Sequence, residues 1–148
     1  MTGKFPALET EEGVIFESAA IARYIARKSG SKGLLGANEV EAAQIDQWID
    51  FTNTSLTPHN FIIYRATFGW MPVDADTYND ALKNIKENLR VLNTHLQGKD
   101  YLIGSNVTVA DIVVAIHLTI PMQIALDPGF RKAMPNVTSW FEKLIKLP

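Results

Sequence analysis

Cysteine is absent from this chain of 148 residues, which excludes disulfide bonds, thiolate metal ligands and a cysteine nucleophile within it. An excess of one charge is also missing, because the net charge is −2 and the 14 Lys and Arg residues are scattered. Since nucleic-acid-binding domains carry clustered basic residues, we expect no direct nucleic-acid partner. No apolar run reaches the roughly 18 residues that a membrane-spanning helix needs, so no membrane segment is expected.

Targeting and catalytic motifs are also missing. The N-terminal stretch MTGKFPALE has no apolar run typical of a secretory signal peptide, so we expect a cytoplasmic location. The sequence contains no phosphate-binding glycine loop, no His–Glu metal motif and no Gly-x-Ser-x-Gly motif. The histidines His59, His95 and His117 have no metal-ligand spacing, and we predict no metal site. His117 lies in an apolar stretch and is predicted to be a hydrogen-bonded core residue.

The N-terminal segment has the pattern of two short strands followed by a helix. Phe5–Glu9 and Val14–Phe16 are the predicted strands, and the residues EEG between them favour a turn. Ser18 is predicted to cap a helix over Ala19–Arg27, because its hydroxyl can accept a hydrogen bond from a free N–H of the first turn. Pro6 cannot donate a ladder hydrogen bond, so we expect it at the start or edge of a strand.

A glycine-rich stretch, SGSKGLLGAN at residues 29–38, marks the clearest boundary in the chain. After it, helical patterns dominate to the C terminus. Asn38 and Glu41 have the spacing of a capping box. Thr77 and Asp80 mark the expected start of a long helix, whose apolar residues recur at spacings of three and four through residue 96.

The stretch GSNVTVADIVVAIHLTI, residues 104–120, carries conflicting signals. Its Val, Ile and Thr content favours a strand. Thr108 and Asp111, however, have the spacing of a capping box, and a carboxylate there also meets the positive end of a helix dipole. We therefore predict a helix buried at the centre of a bundle, bent or ended by Pro121, and a structural capping role for Thr108 and Asp111.

Four aromatic residues follow Pro58, namely Phe61, Tyr64, Phe68 and Trp70. Aromatic residues are enriched at protein interfaces, but packing in a helical core is an equally good interpretation. The sequence RATFGW, residues 65–70, is difficult to place in a helix, which favours an exposed surface.

The order of these features resembles the glutathione S-transferase family. The resemblance is carried by the Lys-x-Pro stretch with Pro6, by ESAAI at residues 17–21 and by TVAD at residues 108–111. It implies a mostly α fold, with a partial thioredoxin-like α/β segment over residues 1–33 and an all-helical C-terminal-type bundle over 34–148. It also implies that Pro6 is cis, and that any glutathione binding would use Phe5, Pro6, Glu17 and Ser18.

Two further segments, GKFPALETEEGVIFESAAIARYIA and LDPGFRKAMPNVTSWFEKL, resemble the N-terminal domains of the gamma subunits of translation elongation factor 1. This resemblance implies a non-catalytic interaction module that scaffolds the nucleotide-exchange complex. The expected partner is the exchange subunit of that factor or an aminoacyl-tRNA synthetase. Two alternatives stay open: a glutathione S-transferase enzyme in truncated form, and a glutathione-transferase-like appendage of an aminoacyl-tRNA synthetase.

The resemblance also bears on catalysis. In the family, a strand, a helix and a second strand precede the Lys-x-Pro stretch, and the residue that activates the thiol lies near the first of these strands. This sequence does not contain that region, so we predict no catalytic residue and no cofactor, with glutathione as a possible ligand. The two predicted strands would leave an unpaired sheet edge, which favours pairing with another chain and makes a homodimer possible.

Overall fold

A computed structural model describes residues 5–31 and 33–147 of the chain. Within those residues, a two-stranded antiparallel sheet is followed by seven α-helices, so the structure is mostly helical, as predicted. The strands are β1 (Ala7–Thr10) and β2 (Gly13–Phe16). The helices are α1 (Ser18–Lys28), α2 (Glu39–Phe51), α3 (Thr57–Phe68), α4 (Ala75–His95), α5 (Val109–Ile120), α6 (Pro128–Ala133) and α7 (Pro135–Leu144).

The N-terminal hairpin and helix differ in detail from the prediction. β1 begins at Ala7, directly after Pro6, which has no N–H to contribute to the ladder. The prediction that Ser18 caps α1 is wrong, because Ser18 is already the first residue of the helix. Glu17 occupies the capping position, and no side chain forms a capping hydrogen bond there.

The helices α2 and α3 are joined by a π-helical segment, Thr52–Leu56. The predicted cap at the start of α2 is confirmed, since Asn38 Oδ1 accepts a hydrogen bond of 3.0 Å from the N–H of Glu41. Pro58 lies in the first turn of α3, where a missing N–H is tolerated because that N–H has no helical acceptor.

The long helix α4 begins at Ala75. The predicted start was Thr77, so the helix begins slightly earlier than expected. Asp74 caps it, because Asp74 Oδ1 accepts a hydrogen bond of 2.8 Å from the N–H of Thr77. This hydrogen bond lowers the pKa of the Asp74 carboxyl. Of the predicted apolar seam, Ile85, Leu89, Leu92 and Leu96 are buried, and Tyr78 and Leu82 are half-buried against the core.

The glycine-rich stretch is attached to the start of α5. The carbonyl of Leu34 accepts a hydrogen bond of 2.9 Å from the N–H of Val109. Gly36 has a φ of +85°, and a Cβ at this position would lie 2.8 Å from the Cβ of Glu41 and 2.9 Å from the backbone nitrogen of Ala42. Both the backbone conformation and the close approach therefore require glycine.

The fully buried carboxylate of Asp111 joins three parts of the helical region. Its Oδ2 accepts hydrogen bonds from the N–H of Thr108 at 2.9 Å and from the Thr108 hydroxyl at 2.8 Å. Its Oδ1 accepts from the N–H of Leu102 at 2.8 Å and from the indole N–H of Trp140 at 2.9 Å. Trp140 is itself buried in the core. Asp111 thus ties the start of α5 to the preceding loop and to α7, and it has no exposed surface for acid–base chemistry.

We predict that Asp111→Ala lowers the free energy of unfolding by roughly 3–5 kcal/mol. A lost helix cap alone costs about 0.5–2 kcal/mol, and here the buried N–H groups of Leu102 and Trp140 also lose their acceptor, at roughly 1–3 kcal/mol each. Urea denaturation followed by circular dichroism measures the change. Asp74→Ala is the matched control, because Asp74 caps α4 from an exposed position and should have the smaller effect. If the free energy of unfolding falls by the same amount in the two variants, the role assigned to Asp111 is contradicted.

Candidate functional site

The four residues implied in glutathione binding lie at one end of the hairpin. The register pairs Ala7 with Phe16, so the residues just before β1 and just after β2 are neighbours. These residues are Phe5, Pro6, Glu17 and Ser18, and all of them are exposed. The Phe5–Pro6 peptide bond is cis, as the resemblance implied.

The N-terminus of α1 at this hairpin end is open to an anion. Glu17 has a φ of +70°, a backbone conformation that residues other than glycine adopt infrequently. Its carbonyl accepts the helical hydrogen bond of Ile21 at 3.0 Å. No side chain of the described residues caps α1, so the N–H groups of its first turn can hydrogen-bond to a carboxylate. The arrangement can bind an anion, but no described side chain forms a hydrogen bond with Ser18 that would activate its hydroxyl.

A second candidate site is an aromatic cluster around the end of α3, here called the α3 surface and made up of Phe61, Arg65, Phe68, Trp70 and Met71. The expectation that RATFGW lies outside a helix is wrong for its first four residues, since α3 extends to Phe68. The first three members therefore lie four and three residues apart, on one face of the helix. The exposed fractions are 52% for Phe61, 51% for Phe68 and 60% for Trp70, which favours the interface interpretation for these three residues.

The turn after α3 completes this surface. Gly69 has a φ of +66° and ends the helix, and the N–H of Trp70 donates a hydrogen bond of 3.1 Å to the carbonyl of Arg65. The ring of Trp70 then stacks on the ring of Phe68, with centroids 5.3 Å apart and an interplanar angle of 24°. The two stacked rings form an exposed apolar patch at the end of α3.

Arg65 is the only charged member of the α3 surface. Its guanidinium lies 5.7 Å from the centroid of the Phe61 ring. Its Nε is buried, and within residues 5–31 and 33–147 no atom accepts a hydrogen bond from it and no carboxylate pairs with it. A buried donor without an acceptor costs roughly 1–3 kcal/mol. The site therefore combines aromatic rings with an arginine that has no ion-pair partner among the described residues, and tryptophan and arginine are enriched among the residues that dominate binding energies at interfaces.

Tyr64 is half-buried and belongs to a polar cluster between α3 and the end of α5. Pro121 has no N–H, so the carbonyl of His117, four residues earlier, lacks its helical donor. That carbonyl accepts instead from Asn60 Nδ2 at 2.7 Å and from the Tyr64 hydroxyl at 3.2 Å. Burial raises the pKa of Tyr64. His117 is hydrogen-bonded as predicted, with Nδ1 2.9 Å from the carbonyl of Val113, but it is half-buried rather than a core residue.

The described part of the chain also bears on metal binding and on membrane insertion. No group of three or more His, Asp or Glu side chains there could hold a metal ion. Over the same residues, none of the helices combines the length and the apolar character that crossing a membrane would need.

Comparison with known proteins identifies the family. The family model described as the glutathione S-transferase C-terminal domain matches residues 53–148, and that of the glutathione S-transferase N-terminal domain matches residues 1–27. The first match covers more than half of the chain, so the chain belongs to the glutathione S-transferase family, as the sequence motifs predicted.

Within this family, the curated relatives carry the name elongation factor 1-gamma. The chain is 38% identical over 146 residues to probable elongation factor 1-gamma 2 of Arabidopsis thaliana, covering 99% of this chain and 35% of that protein. It is 35% identical over 147 residues to elongation factor 1-gamma-A of Xenopus laevis, covering 99% of this chain and 33% of that protein. The chain therefore spans about a third of the length of these relatives.

Solved structures confirm the fold. Poplar glutathione transferase F1 superposes with a TM-score of 0.85 at 25% identity, over 98% of this chain and 70% of that one. A glutathione S-transferase-I bound with the ligand lactoylglutathione has a TM-score of 0.84 at 27% identity, over 99% of this chain and 71% of that one. The predicted glutathione S-transferase type of architecture is thus correct.

The polar cluster around His117 generates a prediction about its coupling to Pro121. Asn60→Leu should lower the free energy of unfolding by about 0.5–1.5 kcal/mol, because the carbonyl of His117 loses the shorter of its two hydrogen bonds. In a Pro121→Ala background the new N–H can bond to that carbonyl, so the same substitution should cost less. A double-mutant cycle by urea denaturation measures this coupling.

Pro128→Ala is the control background, because Pro128 lies in the first turn of α6, where the missing N–H has no helical acceptor. The cost of Asn60→Leu should be unchanged in this background. An equal cost in all three backgrounds would show that Asn60 does not compensate for Pro121.

Proposed function

We propose that this chain is a non-catalytic protein-interaction module of the translation elongation factor 1 complex, where it scaffolds the nucleotide-exchange complex in the cytoplasm. The observation that carries the proposal is the similarity to elongation factor 1-gamma proteins along 99% of the chain. An aminoacyl-tRNA synthetase is the alternative partner, and a homodimer through the sheet edge is a further possibility that the same measurements test.

The chemistry of the described residues supports an interaction role. The hairpin end supplies N–H groups and a hydroxyl, but no described side chain hydrogen-bonds to Ser18 as a base would. The buried Asp111 is fully engaged with Thr108, Leu102 and Trp140. The α3 surface, in contrast, exposes residue types that carry much of the binding energy at interfaces.

We expect the purified chain to bind the exchange subunit from the same organism with 1:1 stoichiometry and a dissociation constant of about 1 μM or less, as a standard-sized interface allows. Isothermal titration calorimetry measures the affinity, and light scattering reports whether the free chain is a monomer or a dimer. Aminoacyl-tRNA synthetases from the same organism serve as competing partners. Binding to a synthetase without binding to the exchange subunit would support the appendage alternative instead.

A second candidate function is glutathione binding at the start of α1. It is favoured by the uncapped N–H groups next to Glu17 and by the register that brings Phe5 and Pro6 to the same end of the hairpin. In the resemblance to the family, the γ-glutamyl end of glutathione would lie at Glu17 and Ser18, and the backbone of Phe5 would pair with the cysteinyl part.

If this site is functional, glutathione at millimolar concentration should shift the amide NMR signals of residues 17–21. Cysteinylglycine, which lacks the γ-glutamyl group, should not shift them, and Ser18→Ala should weaken the response to glutathione. Identical responses to the two compounds, or no response to either, would exclude a retained glutathione site. Conjugation of glutathione to a generic electrophile above the uncatalysed rate would instead support the transferase alternative.

A further inference from the structure

The α3 surface contains a feature that specifies the chemistry of its partner. We propose that it binds a protein segment in which a carboxylate stands next to an aromatic side chain, with the carboxylate on Arg65 and the aromatic ring on Phe68 and Trp70. The inference rests on the interaction role proposed above and deepens it, because it says what the partner must present.

The hydrogen-bonding state of Arg65 distinguishes it from other arginines of the chain. Arg23 donates to Asp46 at 2.7 Å, and Arg131 donates to the carbonyl of Met122 at 3.1 Å. Arg90 lies 5.7 Å from the centroid of the Phe130 ring, much as Arg65 lies against Phe61, but Arg90 is exposed, so water can satisfy its N–H groups. Arg65 has a buried Nε with no acceptor in the described chain. A partner's carboxylate cannot reach this buried Nε and would bind the terminal N–H groups of the half-buried Arg65, with which no carboxylate of the described residues pairs.

A carboxylate fits this position better than other anions. The guanidinium presents its N–H groups in a planar fork that matches the two oxygens of a carboxylate. Phe61 lies 5.7 Å from the guanidinium and Arg65 is half-buried, and partial burial strengthens an ion pair relative to one in bulk solvent. Phosphate groups are commonly held by clusters of arginines, whereas the α3 surface contains a single cation.

The aromatic part of the partner follows from the rings beside Arg65. Phe68 and Trp70 form a stacked pair that is about half exposed, and a third ring can pack against its face or edge. Met71 is 54% exposed next to them, and its unbranched side chain can adapt to the shape of a bound group. A partner with a carboxylate and an aromatic ring on adjacent residues could place the carboxylate on Arg65 and the ring on the Phe68–Trp70 pair.

The test uses two small probes that differ only in charge, N-acetyl-phenylalanine and N-acetyl-phenylalaninamide. We expect the acid to shift the NMR signals of the Gly69 amide and the Trp70 indole N–H, with an affinity about tenfold higher than that of the neutral amide, as one charge-assisted hydrogen bond predicts. Arg65→Gln should reduce the affinity for the acid to that for the amide. Trp70→Ala should weaken the binding of both probes.

Arg90→Gln is the matched control, because it removes an arginine that also lies over a phenylalanine, and it should leave both affinities unchanged. Circular dichroism melting confirms that each variant is folded. Equal binding of the acid and the amide to the wild-type chain, or no binding of either, would overturn the proposal, as would an unchanged preference for the acid in Arg65→Gln.

The exchange subunit separates this proposal from the proposed function. Loss of about tenfold or more in its affinity for Arg65→Gln, with no change for Arg90→Gln, would support both. Equal binding of the exchange subunit to wild type and Arg65→Gln would overturn the role of Arg65 while leaving the proposed function intact. Discrimination between the two probes, without any binding of the exchange subunit, would support the chemistry of the α3 surface and overturn the proposed partner.

Discussion

The helical part of this protein depends on one buried carboxylate. Asp111 accepts four hydrogen bonds, two from Thr108 at the start of α5, one from the loop residue Leu102 and one from Trp140 in α7. Burying a carboxylate is unfavourable unless its oxygens are well satisfied, so these donors must be in place together. The requirement links the start of the central helix to a residue 29 positions later in the chain, and it explains why an acidic residue occupies the middle of an apolar core.

A second constraint comes from Pro121, and it connects the core to the surface. The carbonyl of His117, left without its helical donor, is satisfied by Asn60 and Tyr64 from α3. These two hydrogen bonds fix the rotation of α3 about its own axis, because both side chains must point inward. The α3 surface begins beside these inward side chains, because Phe68 lies one helical turn after Tyr64 and is exposed where the helix ends.

Local patterns predicted much of the fold, but not the long-range contacts. The caps at Asn38 and Thr108 could be recognised because both partners lie within one helical turn, and the family resemblance supplied the architecture. The role of Trp140 as a donor to Asp111 has no local signal. Residues 65–68 were misplaced because glycine and aromatic residues weaken the helical pattern, whereas tertiary contacts of α3 stabilise the helix. Arg65 was missed for the same reason, although it lies four and three residues from Phe61 and Phe68. The division at residues 33 and 34 and the glutathione site stay predictions.

The turn at Gly69 has a consequence for how quickly and how tightly this protein can engage another molecule. Because the N–H of Trp70 is already tied to the carbonyl of Arg65 and its indole already stacks on Phe68, little further ordering of this turn is needed on contact. A surface prepared in this way loses little conformational entropy when a complex forms. Such a complex can therefore reach useful affinity over a small area, and it can assemble without a slow rearrangement of the chain.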